Sequence, residues 1–252
     1  MNAQSDDIRA SLRQQLETDQ LLGLHEVPIA KDVAAAIGRG APVASGASTE
    51  ASAEQQAQLQ ELDESQVVDC KKCQLCETRT RTVFGQGSAN ARLVFVGEAP
   101  GYEEDQKGLA FVGRAGQLLT KMILAMGLSR EEVFICNVLK CRPPNNRTPA
   151  ADEIASCSPY LFEQLQIIQP EIVCALGAPA AQTLLNTKEA IGRLRGRFHD
   201  FYTSGAPTSG DCVPLMPTYH PAYLLRSPGE KKKTWADLQL IMAKLGLPVG
   251  GQ

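Results

Sequence analysis

Arg92-Leu93-Val94-Phe95-Val96-Gly97, followed at once by Glu98-Ala99-Pro100-Gly101, is the stretch on which the fold turns. An unbroken apolar run of strand length has no polar face to offer water, so it belongs inside a sheet covered on both sides. Similar runs recur at Val133-Phe134-Ile135-Cys136-Asn137-Val138, from Glu171 to Gly177, and from Cys212 to Met216. Between them the period changes. Leu118, Leu119, Met122, Ile123 and Met126 predict a helix from Ala115 that stops at Gly127. Thr148-Pro149 opens another through about Ile168, with Asp152 and Glu153 in its first turn. Ala178 to Leu185 and Lys233 to Leu245, around Trp235, also read as helical, while Ser129-Arg130-Glu131-Glu132 has a capping-box pattern with room for one turn. Strand alternating with helix predicts an α/β fold: a three-layer α/β/α sandwich on a central, mainly parallel four-stranded sheet, with an N-terminal extension. Ligands of such sheets gather at the carboxyl ends of the strands. Gly97 to Gly101, Asn137 and His220 all fall there. Alone, each has a plain explanation as turn, strand end or surface histidine; together they mark a candidate site.

The remaining chain divides by composition. Residues 1–66 read as an acidic, partly helical and then low-complexity extension, and residues 67–252 as the folded domain. Ile8, Leu12, Leu16 and Leu22 space a helix over Ser5 to Leu24, either a solubilising tail or a docking peptide for a replication or repair partner. Ala34 to Gln58, rich in Ala, Ser, Gly and Gln and without an aromatic residue, reads as a linker. The net charge of −3 hides an asymmetry: 12 of the 28 acidic but only 4 of the 25 basic residues precede Cys70, leaving 16 acids against 21 bases. A basic folded part suits phosphate contact, which depends on local Lys and Arg, although an ordinary solvated surface has the same composition. No run of about 18 apolar residues spans a bilayer, and Met1 to Asp7 lacks the basic start of a secretory signal, so the expectation is a cytoplasmic monomer.

In a reducing compartment, eight cysteines are metal ligands or small buried residues rather than a disulfide framework. Cys70 and Cys73 have Cys-x2-Cys spacing, and Cys141 and Cys157 bracket a Pro-rich loop, so the four can close around one metal centre and clamp the basic segment Arg142 to Arg147. Four thiolates suit an iron-sulfur cube or tetrahedral zinc. Cys76, three residues beyond Cys73 in the same Cys-x2-Cys rhythm, is a spare ligand. Cys136, Cys174 and Cys212 sit in apolar strands and read as packing residues.

Four segments in order, Gly97-Glu98-Ala99-Pro100-Gly101, Phe111-Val112-Gly113-Arg114-Ala115-Gly116, Asn137 to Pro144, and His220-Pro221-Ala222-Tyr223-Leu224-Leu225-Arg226, resemble the signatures of the family 4 uracil-DNA glycosylases. The resemblance runs from about Val67 to Leu245 and leaves residues 1–66 outside it. It implies a prokaryotic, nucleoid-associated repair enzyme that takes uracil from single- or double-stranded DNA and leaves an abasic site. It also implies a four-iron, four-sulfur cluster on Cys70, Cys73, Cys141 and Cys157, with zinc as the lesser alternative.

Base removal sets the roles. An extruded base needs an aromatic platform, for which Phe111 resembles the family residue. Uracil presents O4 and a protonated N3, which one carboxamide can read, and Asn137 resembles that reader. His220 resembles the histidine that donates to O2 as the glycosidic bond breaks. Ala99 stands where better-known uracil glycosylases carry Asp, so the carboxylate role moves to Glu104, with Glu98 in reserve. Leu224-Leu225-Arg226 resembles an intercalating loop, with Leu225 as wedge and Arg226, Arg142 and Arg147 on the DNA backbone; Lys231 to Lys233 hold flanking phosphates or are simply solvated. The alternatives are a uracil-DNA trapping protein, disfavoured because Gly113 to Gly116 carries no basic insertion, and a non-catalytic polymerase-associated iron-sulfur module.

Overall fold

The computed structural model describes residues 47–204 and 212–249, so the helix expected over Ser5 to Leu24 and the first part of the expected linker lie outside the described residues. The four apolar runs form the middle of the sheet. They are β2 (Leu93–Gly97), β3 (Phe134–Asn137), β4 (Ile172–Leu176) and β6 (Cys212–Thr218), mutually parallel, and every residue of the first three is buried. Two short strands not expected from sequence extend the sheet to six. β1 (Gln86–Gly87) lies antiparallel beside β3, and β5 (His199–Tyr202) antiparallel beside β6, giving the order β1-β3-β2-β4-β6-β5.

Side chains alternate across this sheet into two cores. Val94, Val96, Cys136, Val173 and Ala175 face α4 (Ala151–Ile168) and α5 (Ala178–Leu185), with Leu194 of the single-turn α6 (Ile191–Leu194) in the same layer. Leu93, Phe95, Ile135, Ile172 and Cys174 face α3 (Arg114–Ala125), α7 (Pro221–Arg226) and α8 (Lys231–Leu245). This is the α/β/α sandwich that double-sided strands demand. The short α2 (Tyr102–Lys107) follows β2 at the carboxyl edge. After β3 the chain returns past β2 to form β4, and at such a change of direction loops diverge and leave a crevice.

Two expectations need correction. Part of the expected linker is helix: α1 spans Ala47–Leu62, Leu59 and Leu62 are buried in the α4-side core, and Gln55 Nε2 donates to Ile167 O at 2.9 Å. Ala, Glu, Gln and Leu are strong helix formers, and α4 supplies the apolar face that the segment lacks alone. Cys212 is exposed rather than packed, because it opens β6 at the sheet margin; Cys136 and Cys174 are buried as expected. Among the described residues no helix is long and apolar enough to cross a membrane.

Candidate active site and cysteine cavity

Gly97 ends β2 in register with Asn137, which ends β3. A Cβ at Gly97 would lie 2.3 Å from Asn137 Oδ1 and 2.6 Å from Phe111 Cζ, so glycine is what lets the carboxamide and the ring meet over the strand end. Asn137 is 1% exposed, and its Oδ1 has no hydrogen-bond partner among the described residues. A buried acceptor left open costs free energy, about 1–3 kcal/mol, unless a ligand meets it.

Phe111 is 6% exposed and adopts φ 52°, the left-handed region that bulky residues avoid. Such strain persists only where the surroundings over-determine it. Arg130 Nη2 donates to Ala110 O at 2.8 Å, while Arg130 Nη1 donates to Phe111 O at 3.2 Å and to Thr120 Oγ1 at 3.0 Å. From the other side Glu104 Oε1 accepts from Val112 N at 2.9 Å and Gly113 N at 2.8 Å. Gly116 completes the clamp: a Cβ there would fall 1.8 Å from Phe111 O.

His220 precedes α7, with its ring centroid 5.6 Å from that of Phe111. Its Nδ1 accepts from Ala222 N at 3.1 Å, which places the ring proton on Nε2. Burial, helped by the Arg226 charge and opposed by Glu104, lowers its pKa to about 4. The imidazole is therefore neutral at physiological pH. Glu98, Ala99, Glu104, Phe111, Asn137 and His220 all line one cavity of about 240 Å³. The Glu98 carboxyl has no hydrogen-bond partner among the described residues, and burial raises its pKa. Glu104, by contrast, has one oxygen committed to the Phe111 loop.

Each arginine expected to contact the DNA backbone already has a partner within the protein. Arg147 lines the cavity, but its guanidinium pairs with Glu153 in two-pronged fashion, at 2.8 and 2.5 Å. Arg142 Nε donates to Asn146 Oδ1 at 2.7 Å, and Arg226 Nη1 donates to Ala222 O at 3.0 Å. Leu225 is 38% exposed, whereas Leu224 is fully buried in the α8-side core, so only one leucine of that pair faces outward. In the lysine run, Lys233 is paired with Glu230 at 2.9 Å and Lys231 is largely buried.

Cys70, Cys73, Cys141 and Cys157 line a second, smaller cavity; Cys76 does not. Burial pushes the Cys141 thiol up to about 12 and raises Cys73 and Cys157. Donors nevertheless reach three of the sulfurs: Arg79 Nη1 to Cys141 Sγ at 3.3 Å, Lys140 N to Cys157 Sγ at 3.2 Å, and the Tyr160 hydroxyl to Cys70 Sγ at 3.2 Å. Two buried thiols, Cys141 and Cys157, and two half-buried ones, Cys70 and Cys73, three of the four supplied with donors, fit a cation that stabilises them as thiolates. Among the described residues no three His, Cys, Asp or Glu side chains gather closely enough to hold one metal ion.

Lys140 stands between the two cavities. It is buried, and its Nζ donates to Asn137 O at 2.8 Å and to Gln164 Oε1 at 2.6 Å. Lys140 and Arg130 escaped the sequence reading because lysine is seldom buried and an arginine in a capping-box pattern reads as solvated. The one available signal was position: Lys140 lies between a candidate base reader, Asn137, and the candidate ligand next to it, Cys141.

The family model for the uracil DNA glycosylase superfamily matches residues 84–239. A type-4 uracil-DNA glycosylase of Thermotoga maritima is 44% identical over 171 residues, 68% of this chain and 85% of the relative. Its counterpart in Archaeoglobus fulgidus is 41% identical over 189 residues, 73% of this chain and 92% of the relative. That of Saccharolobus solfataricus is 43% identical over 190 residues, covering 73% and 86%.

Proposed function

Because the chain belongs to the type-4 uracil-DNA glycosylases of the uracil DNA glycosylase superfamily, we propose that it extrudes uracil from DNA and hydrolyses its N-glycosidic bond, giving free uracil and an abasic site. The observation that carries this reading is the meeting of Phe111, Asn137 and His220 in one cavity, with the Asn137 acceptor buried and open. A base inside a duplex exposes neither its glycosidic bond nor its pairing edge, so it must leave the stack. Phe111 is the surface against which it lies. Asn137 Oδ1 accepts from uracil N3–H while its Nδ2 donates to O4. Cytosine, with a bare N3 and an amino group, would leave both poles of the amide unmet, a discrimination of a few kcal/mol.

As the C1′–N1 bond lengthens, negative charge grows on uracil O2 and positive charge on the sugar. Nε2 of the neutral His220 donates to O2, a fixed dipole already oriented by the Ala222 amide, so little reorganisation accompanies the reaction. Ala99 contributes no carboxylate. Glu98, unpartnered and beside it, takes that role by favouring the cationic sugar and orienting the attacking water. The geometry thus favours the reserve carboxylate over Glu104, whose Oε1 instead holds the Phe111 loop.

Cys70, Cys73, Cys141 and Cys157 would hold a four-iron, four-sulfur cluster, which stabilises the loop before α4 without exchanging electrons, since hydrolysis needs none. A single zinc, with Zn–S about 2.3 Å, would draw four thiolates within about 4 Å of one another. The resemblance to the type-4 enzymes favours the cluster over a single zinc. The test is uracil release from a uracil-containing oligonucleotide, single- and double-stranded. Wild type releases the base, and Asn137→Ala and His220→Ala each slow single-turnover release by about 100- to 1,000-fold while keeping wild-type circular dichroism. Wild-type-like release by both variants would refute the assignment, and an adduct that survives denaturation would favour trapping over hydrolysis.

A further inference from the structure

We propose that Tyr102 and Arg142 form a shelf on the lip of the base cavity that stacks the nucleobase adjacent to the extruded uracil; this rests on the reading of the cavity as a uracil pocket. Tyr102 follows Gly101 and Arg142 precedes Pro143, and both Gly101 and Pro143 line the cavity, from two different loops. The Arg142 guanidinium lies over the Tyr102 ring, 5.1 Å from its centroid, and joins those loops. It is held there by its Nε bond to Asn146 Oδ1, and Asn146 also lines the cavity.

Tyr102 is 60% exposed, the most open of the exposed large apolar side chains among the described residues. A scattered surface tyrosine needs no explanation, but this one sits at the mouth of a cavity with a cation against its ring. Extrusion of one nucleotide strips a stacking partner from each neighbour. An exposed aromatic beside an arginine is the surface that single-stranded nucleic acid uses: the ring meets a base face of any sequence, and the cation meets the phosphate joining it to the next nucleotide. Of the expected backbone contacts, Arg147 is already committed to Glu153, which leaves Arg142 to serve that lip. In a duplex the neighbouring base keeps its pairing partner, so the shelf contributes most on single strands.

The experiment places 2-aminopurine on each side of a non-cleavable 2′-fluoro-deoxyuridine in turn, within a single-stranded oligonucleotide, and reads emission on titration with wild type, Tyr102→Phe and Tyr102→Ala. Stacking quenches this base. Wild type and Tyr102→Phe are expected to quench the probe on one side, and Tyr102→Ala to lose that quenching. With cleavable deoxyuridine, Tyr102→Ala should raise KM on single strands about tenfold with kcat within about twofold, and have less effect on duplex. Equal KM and equal quenching in wild type and Tyr102→Ala overturn the shelf while leaving uracil release intact. Quenching by wild type and Tyr102→Phe alone, without uracil release by any of them, supports the shelf and overturns the reading of the chemistry.

Discussion

The two cavities at the carboxyl edge lie only four residues apart in sequence, at Asn137 and Cys141, yet are built on opposite rules. Around the cysteines, polar donors are turned inward onto sulfur. Around Phe111 the backbone is just as firmly clamped, but the groups facing the cavity, Asn137 Oδ1 and the Glu98 carboxylate, are left without partners. The first arrangement suits a permanent occupant that completes the fold. The second withholds its hydrogen bonds for a visitor, which costs stability and supplies recognition.

The sharpest way to break this contrast is Cys157→Ala. A metal-thiolate site that completes a fold carries on the order of 10 kcal/mol, so losing a ligand should abolish bound iron and lower the thermal midpoint by at least about 10 °C. Cys76→Ala should retain iron and shift the midpoint by less than about 2 °C, since Cys76 lies off the cavity; iron analysis with calorimetry checks both, and iron loss in the Cys76 variant would overturn the ligand set. A smaller effect is expected from Gly97→Ala. The added methyl must displace either the Asn137 amide or the Phe111 ring, and misplacement by about 1 Å costs about 100-fold in rate. Single-turnover uracil release should fall by that factor while iron content stays unchanged; a parallel loss of iron would mean the cavities are not separable.

The smallest effect is a pH slope. In the fold His220 takes a proton only near pH 4, against 6.5 for an ordinary imidazole. Between those values the unfolded chain binds the extra proton, so stability contributed by His220 falls as pH drops from about 6.5 to about 4 and is level above that window. Thermal midpoints measured across it should decline more steeply for wild type than for His220→Asn. Equal slopes would mean that the ring is not held neutral by burial.

The middle of the sheet was legible because β2, β3 and β4 are buried on both faces and no other structure tolerates such uninterrupted runs. The edge strands were not: Gln86–Gly87 and His199–Tyr202 are short, polar in part, and strands only because β3 and β6 pair with them. Helix α1 was misread for a related reason, since two buried leucines suffice when α4 completes the face and composition cannot reveal that neighbour. Within the site, Asn137 and His220 stood out because each ends or follows an apolar run at the edge where ligands collect, whereas Phe111 was singled out only through the resemblance of its loop to the family signature. Their supports were hidden. Arg130 acts on backbone atoms of a loop whose strain no local pattern announces, Glu104 was named for the carboxylate role and not for holding that loop, and Lys140 is a charge inside a core.

Helix α1 has a practical corollary. Gln55 grips the last carbonyls of α4, at the amino edge of the sheet, and Leu59 and Leu62 carry the chain from there toward the cysteines. Ala47, eight residues earlier, is about 12 Å further from the DNA-reading edge. An affinity handle or fluorophore joined directly at Ala47 would thus sit on the far side of the protein, and a surface-immobilised enzyme attached there would present its mouth to passing substrate.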